Sequence, residues 1–177
     1  MFEGKNKIYF FLLALFIQIL IIGGLFSYKY LILIKGKEIL LKIEPIDPRA
    51  LLRGDYLYFQ YEISRLPVSY FSYQPQIGDI VYVPLKREGK FWKATRGIKN
   101  KKPQEFEFKD KIFIKGKVKM KSISYVYLEY GIEQYFIPEG AGKNLRWWRH
   151  KISAKVKVDR QGNAVLKQIY VDNKPWP

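Results

Sequence analysis

The chain has 177 residues, a formal charge of +16 from 32 Lys and Arg against 16 Asp and Glu, no cysteine and one histidine. Without cysteine there is no disulfide, no thiolate metal site and no cysteine nucleophile, and a single histidine cannot build a zinc centre, so any metal would rest on oxygen ligands. The basic excess favours anionic surfaces, but it is lysine spread along the chain without a helix-turn-helix, zinc-finger or ribonucleoprotein motif, so nucleic acid is not an expected partner.

The first element is a membrane span. Ile8 to Phe26 are nineteen residues without a charge, of which only Tyr9, Gln18, Gly23 and Gly24 are not apolar. A hydrocarbon core of ~30 Å needs about 20 helical residues. The apolar character resumes at Leu31–Ile34 and stops at Lys35. A cleaved signal peptide would have a shorter apolar core and a small-x-small cleavage site. Here Leu25 stands two positions before Ser27, so the segment reads as an uncleaved signal anchor. Residues 1–34 are therefore taken as tail and single-pass anchor, and 35–177 as one further domain. Lys29, Lys35, Lys37 and Lys42 outnumber Lys5 and Lys7, which would keep the domain cytoplasmic, yet this rule weakens for long translocated segments.

After the anchor the runs are short and alternate with period two, with 14 tyrosines favouring a pleated surface. Strands are predicted at 38–43, 56–63, 80–85, 91–97, 111–119, 124–130, 134–137, 151–158 and 164–171. Residues 66–76, with Pro67 and Pro75, read as a loop. Arg87-Glu88-Gly89 and Asp159–Asn163 read as hairpin turns. Residues 140–150 form the one short helix. This is a mainly β domain, an antiparallel barrel or sandwich, on one transmembrane helix. His150, between Arg149 and Lys151, reads as an exposed side chain.

Two polar clusters stand out. The first holds Asp47, Arg49, Arg53, Gly54, Asp55 and Tyr56. The second holds Glu133, Gln134, Tyr135, Glu139 and Gly140. Arg and Asp at this density either lock a loop by bidentate bonds or form a site for an anion or peptide terminus. Glu139 after Pro138 either caps the short helix or joins that site. The two clusters are expected to meet as one polar binding site. A third candidate is the helix surface of Arg146, Trp147, Trp148 and Arg149, whose aromatic rings among cations suit a membrane interface or a partner.

Leu51 to Tyr61 resembles the signature of the GDYXXLXY domain family. Gly54-Asp55-Tyr56 matches its opening and Tyr61 its last tyrosine, while Phe59 stands where the signature has leucine. Asp47-Pro48-Arg49 and Tyr130 to Gly140 are similar to the same family, and the likeness runs from the anchor to about Val171. The resemblance implies a membrane-anchored protein with an N-terminal helix and an extracytoplasmic domain, of uncharacterised function, often accompanying polytopic membrane proteins. It supplies no catalytic residue and no cofactor.

The expected function is therefore binding or assembly at the cell membrane, with the lipid bilayer and a polytopic membrane protein as partners. The alternative is a cell-envelope hydrolase using paired carboxylates such as Asp55 with Glu133 or Glu139. A fainter similarity to type I signal peptidases, through Pro48 and Leu52-Arg53-Gly54-Asp55, fails where the serine nucleophile belongs, because that position is Pro45.

Overall fold

The computed structural model describes residues 3–44, 52–53, 56–103, 112–136 and 149–176. One long helix, α1 (Glu3–Lys35), leads directly into strand β1 (Lys37–Glu44). At 1.5 Å per residue, 33 residues make about 50 Å, more than the ~30 Å of a hydrocarbon core. The helix is long and apolar enough to cross a membrane, and its large apolar side chains from Ile8 to Phe26 are exposed.

The extra length lies at the C-terminal end, where it docks. Ile32 is 3% exposed. The Tyr28 hydroxyl donates to Asp159 Oδ2 (3.3 Å) and accepts from Asn163 Nδ2 (2.7 Å). Gly36 N–H donates to the Ile32 carbonyl (2.8 Å), and Lys157 Nζ donates to the Gly36 carbonyl (3.2 Å). A Cβ on Gly36 would lie 2.4 Å from the Ile32 oxygen and 3.1 Å from the Val158 nitrogen, so only glycine fits where helix meets strand. Within the run Leu31–Ile34, Ile32 is thus the side chain that seats the domain on α1.

The strands are β2 (Leu52–Arg53), β3 (Tyr56–Tyr58), β4 (Gln60–Tyr61), β5 (Arg65–Pro67), β6 (Ile80–Glu88), β7 (Phe91–Ala94), β8 (Ile112–Lys121), β9 (Tyr125–Glu129), β10 (Gln134–Phe136), β11 (Ile152–Val158), β12 (Ala164–Val171) and β13 (Lys174–Trp176). Among the described residues they form three antiparallel sheets, ordered β13-β12-β11-β1-β4, β10-β3-β2 and β5-β9-β8-β6-β7. β7 packs beside β1 without a ladder, which leaves the barrel nearly closed. Glu62 bridges this seam, with Lys42 of β1 at 3.5 Å and Lys93 of β7 at 3.9 Å.

The period-two pattern fills the barrel. Ile39, Leu41 and Ile43 of β1 face Val81, Val83 and Leu85 of β6, Ile114 and Val118 of β8, and Ala154, Val156 and Val158 of β11 within one buried cluster. Each Val, Leu or Ile among them contributes about 1.5–3 kcal/mol when fully buried.

Several local expectations are corrected. The predicted strand 56–63 divides into β3, β4 and a 3-10 turn Glu62–Ser64, because Phe59 N–H turns to the Glu133 carbonyl (3.0 Å) and Tyr61 N–H to Ser64 Oγ (3.2 Å). The predicted loop 66–76 contains most of β5 and a 3-10 turn Val68–Tyr70; Pro67 is tolerated because β5 is an edge strand. The β6–β7 ladder continues to Glu88↔Phe91, so Gly89 (φ +61°) and Lys90 make the turn. β13 was not expected; it also carries a proline, Pro175, at a sheet edge. Residues 140–148 of the predicted short helix lie outside the described residues.

Candidate functional site

The two polar segments of the sequence meet through their backbones. β2 pairs with β3 (Leu52↔Leu57, Arg53↔Tyr56), and β3 pairs with β10 (Tyr56↔Phe136, Leu57↔Tyr135, Tyr58↔Gln134). Arg53 and Tyr56 are thereby placed in the ladder. Asp47, Arg49, Gly54, Asp55, Glu139 and Gly140 lie outside the described residues, as do Arg146, Trp147 and Trp148. Gln134 and Arg149 are exposed, and Tyr135 is half-buried against the core.

Behind this small sheet lies a buried polar lock. The Tyr61 hydroxyl donates to the Ile132 carbonyl (2.7 Å), and the Tyr130 hydroxyl donates to the Ile63 carbonyl (2.6 Å). The two bonds run in opposite senses between the same two chain segments. Between them, Gly131 adopts φ +75°, a left-handed turn that favours glycine. Glu133 closes the turn: its carboxylate accepts the N–H groups of Tyr130 (2.5 Å) and Ile132 (2.9 Å). It is 5% exposed. Burial raises the Glu133 pKa, and the backbone N–H groups of Tyr130, Glu133 and Ile132 only partly oppose that rise. Burial, and then the neighbouring Glu133 charge, hold the Tyr61 and Tyr130 hydroxyls well above their ordinary pKa. This arrangement fixes a turn; its carboxylate is already committed to backbone donors.

The family model described as GDYXXLXY protein matches residues 18–169. The chain belongs to the GDYXXLXY family. No curated protein and no solved structure matches it.

The GDYXXLXY signature can now be placed on the fold. Its leucine position, occupied here by Phe59, and its last tyrosine, Tyr61, are both core residues, 3% and 0% exposed. Their rings meet edge to face at 5.5 Å. Phenylalanine can stand for leucine because the slot asks for apolar volume, whereas Tyr61 needs its hydroxyl for Ile132. This end of the GDYXXLXY signature is therefore a scaffold element.

Three polar features were not recognised in the sequence. His150 Nδ1 lies 2.6 Å from Asp172 Oδ2, and Lys151 N–H donates to Asp172 Oδ1 (2.9 Å), so the histidine braces the β12–β13 turn instead of standing free. These bonds hold the Asp172 carboxyl below its ordinary pKa. Glu38 gathers Lys155 (3.2 Å), Lys167 (3.2 Å) and Lys157 (3.7 Å) on the outside of the first sheet. Alternation places these lysines on one face, but the pairing that brings them to Glu38 is long-range. Beside them a groove of about 270 Å³ is lined by Lys37, Glu38, Arg87, Lys90, Trp92 and Lys155 among others. Among the described residues no group of three or more His, Asp and Glu side chains could hold a metal ion.

Proposed function

We propose that this protein is a membrane-anchored binding and assembly module whose barrel lies outside the cytoplasm and engages a polytopic membrane protein. One observation carries the reading. Ile123, at the tip of the β8–β9 turn, is 99% exposed. The turn holds it there: Ser122 N–H donates to the Tyr125 carbonyl (2.8 Å), and Tyr125 N–H donates to Ser122 Oγ (3.1 Å). The 76–79 loop is bonded to β8 at Val118, and Lys121 Nζ reaches Gln74 Oε1 (3.3 Å), which brings Ile77 (70% exposed) and Met120 (51%) to the same end. Arg65 stacks on Tyr125 at 4.0 Å. Exposed apolar side chains at one end of the barrel, Ile123 among them on a fixed turn, and rimmed by cations, suit a protein partner.

The hydrolase alternative draws less support. Its one described carboxylate, Glu133, is buried and bonded to backbone N–H groups. The extracytoplasmic side rests on the family resemblance and the partner on this surface. Full-length protein extracted in mild detergent should co-purify with a multi-spanning membrane protein, and Ile123→Asp with Met120→Asp should reduce that recovery several-fold. Unchanged recovery from the folded double variant would refute the surface.

A further inference from the structure

The apolar run of α1 ends at Phe26 and the first charge after it is Lys29, so Tyr28 stands within one helical turn of the hydrocarbon edge. Tyr28 is hydrogen-bonded to Asp159 and Asn163, which places the β11–β12 turn at that same level. The turn is firmly built. Asp159 Oδ1 accepts the N–H groups of Gln161 and Asn163 (both 2.8 Å), and the Gly162 carbonyl accepts Lys115 N–H (2.8 Å) from β8. Gly162 has φ +85°, and a Cβ there would lie 3.0 Å from the Phe113 ring and the Lys115 nitrogen. A turn braced against both the helix and a barrel strand has little freedom to move away from the bilayer.

Three cations stand at this level: Lys29 next to Tyr28 on the helix, exposed Arg160 next to Asp159, and Lys115, whose N–H bonds the Gly162 carbonyl. Among the described residues no ion pair engages any of them. Asp159, the nearby carboxylate, is occupied by the turn and by Tyr28.

We propose that the β11–β12 turn is a phospholipid contact: Arg160, with Lys29 and Lys115, binds the phosphates of anionic lipids in the leaflet where α1 ends, and so sets the barrel's orientation on the membrane. The occupant is the headgroup layer because the turn is fixed to the helix at headgroup depth. Each basic residue near an anionic leaflet strengthens such a contact by about fivefold. The pull acts over one Debye length, ~8 Å at physiological salt.

The cysteine-free chain allows a direct test on the full-length protein in nanodiscs. A single fluorophore is attached at Gln161→Cys or, as control, at Lys174→Cys on the β12–β13 hairpin, and is quenched by lipids brominated near the glycerol. Quenching at position 161 should exceed that at 174 several-fold. It should be stronger when the brominated lipid is phosphatidylglycerol than when it is phosphatidylcholine, and Arg160→Gln with Lys29→Gln should abolish that preference. Equal quenching at 161 and 174 would overturn the placement. Equal quenching by the two lipids, or a preference that survives both substitutions, would overturn the anionic contact.

Discussion

The hydroxyl of Tyr61 donates to the carbonyl of Ile132, 71 positions along the chain, at 2.7 Å inside the barrel. Removing the hydroxyl strands a buried carbonyl, which costs about 1–3 kcal/mol. Tyr61→Phe should therefore lower the unfolding midpoint of the detergent-solubilised protein. Phe59→Leu, which restores the signature residue and loses only apolar volume, should cost less.

Glu133 has a pH signature of definite sign. Its pKa is raised in the folded state, so the folded protein binds the proton more tightly than the unfolded chain. The contribution favours folding at a pH below the unfolded carboxyl pKa and is lost as pH rises through the raised folded value. Asp172 runs the other way. Its pKa is lowered, so its contribution is present above the unfolded value and is lost as pH falls through the folded one. Stability measured against pH should show the advantage of wild type over Glu133→Gln shrinking with rising pH, and that over Asp172→Asn shrinking with falling pH. Glu133→Ala, which strands two backbone N–H groups, should cost roughly 2–4 kcal/mol.

Gly116 is reserved for the Tyr130 ring. A Cβ there would stand 2.9 Å from Tyr130 Cε1, and moving the ring pulls the hydroxyl from Ile63. Gly116→Ala is expected to destabilise by ~1–3 kcal/mol, as overpacking does. Gly131→Ala, with φ +75° but open space, should cost only the strain of its backbone, ~1 kcal/mol. Chemical denaturation of the two variants side by side separates crowding from strain.

The sidedness of the domain is open to a labelling test. Lys174→Cys adds one exposed thiol to a chain that has none. A membrane-impermeant maleimide should label it in cells whose inner membrane is intact but reachable. Labelling only after lysis would place the barrel in the cytoplasm.

The strands and the long apolar helix were legible because both are written in short-range pattern: nineteen uncharged residues for the helix, and period-two alternation in Ile152–Val158 or Ala164–Val171 for the sheets. The break at Phe59 was not, since the bond that turns the strand goes to Glu133, 74 positions away. Glu133 belongs to a polar cluster in the sequence, but its use as a backbone acceptor depends on the turn at Gly131 and on burial by distant strands. β13 was hidden by Pro175, which argues against a strand unless the sheet edge is known. Docking of Tyr28 onto Asp159 and Asn163 had only one faint signal, the apolar run continuing past the length a bilayer needs.

Our proposal is that the β8–β9 end of the barrel is where a membrane partner binds. Its most direct test is a photo-crosslinking residue at position 123 of the full-length protein, activated in native membranes, with position 174 as control. The expected result is a strong adduct with one multi-spanning membrane protein from position 123 and little from 174. Equal or absent crosslinking at the two positions would contradict it.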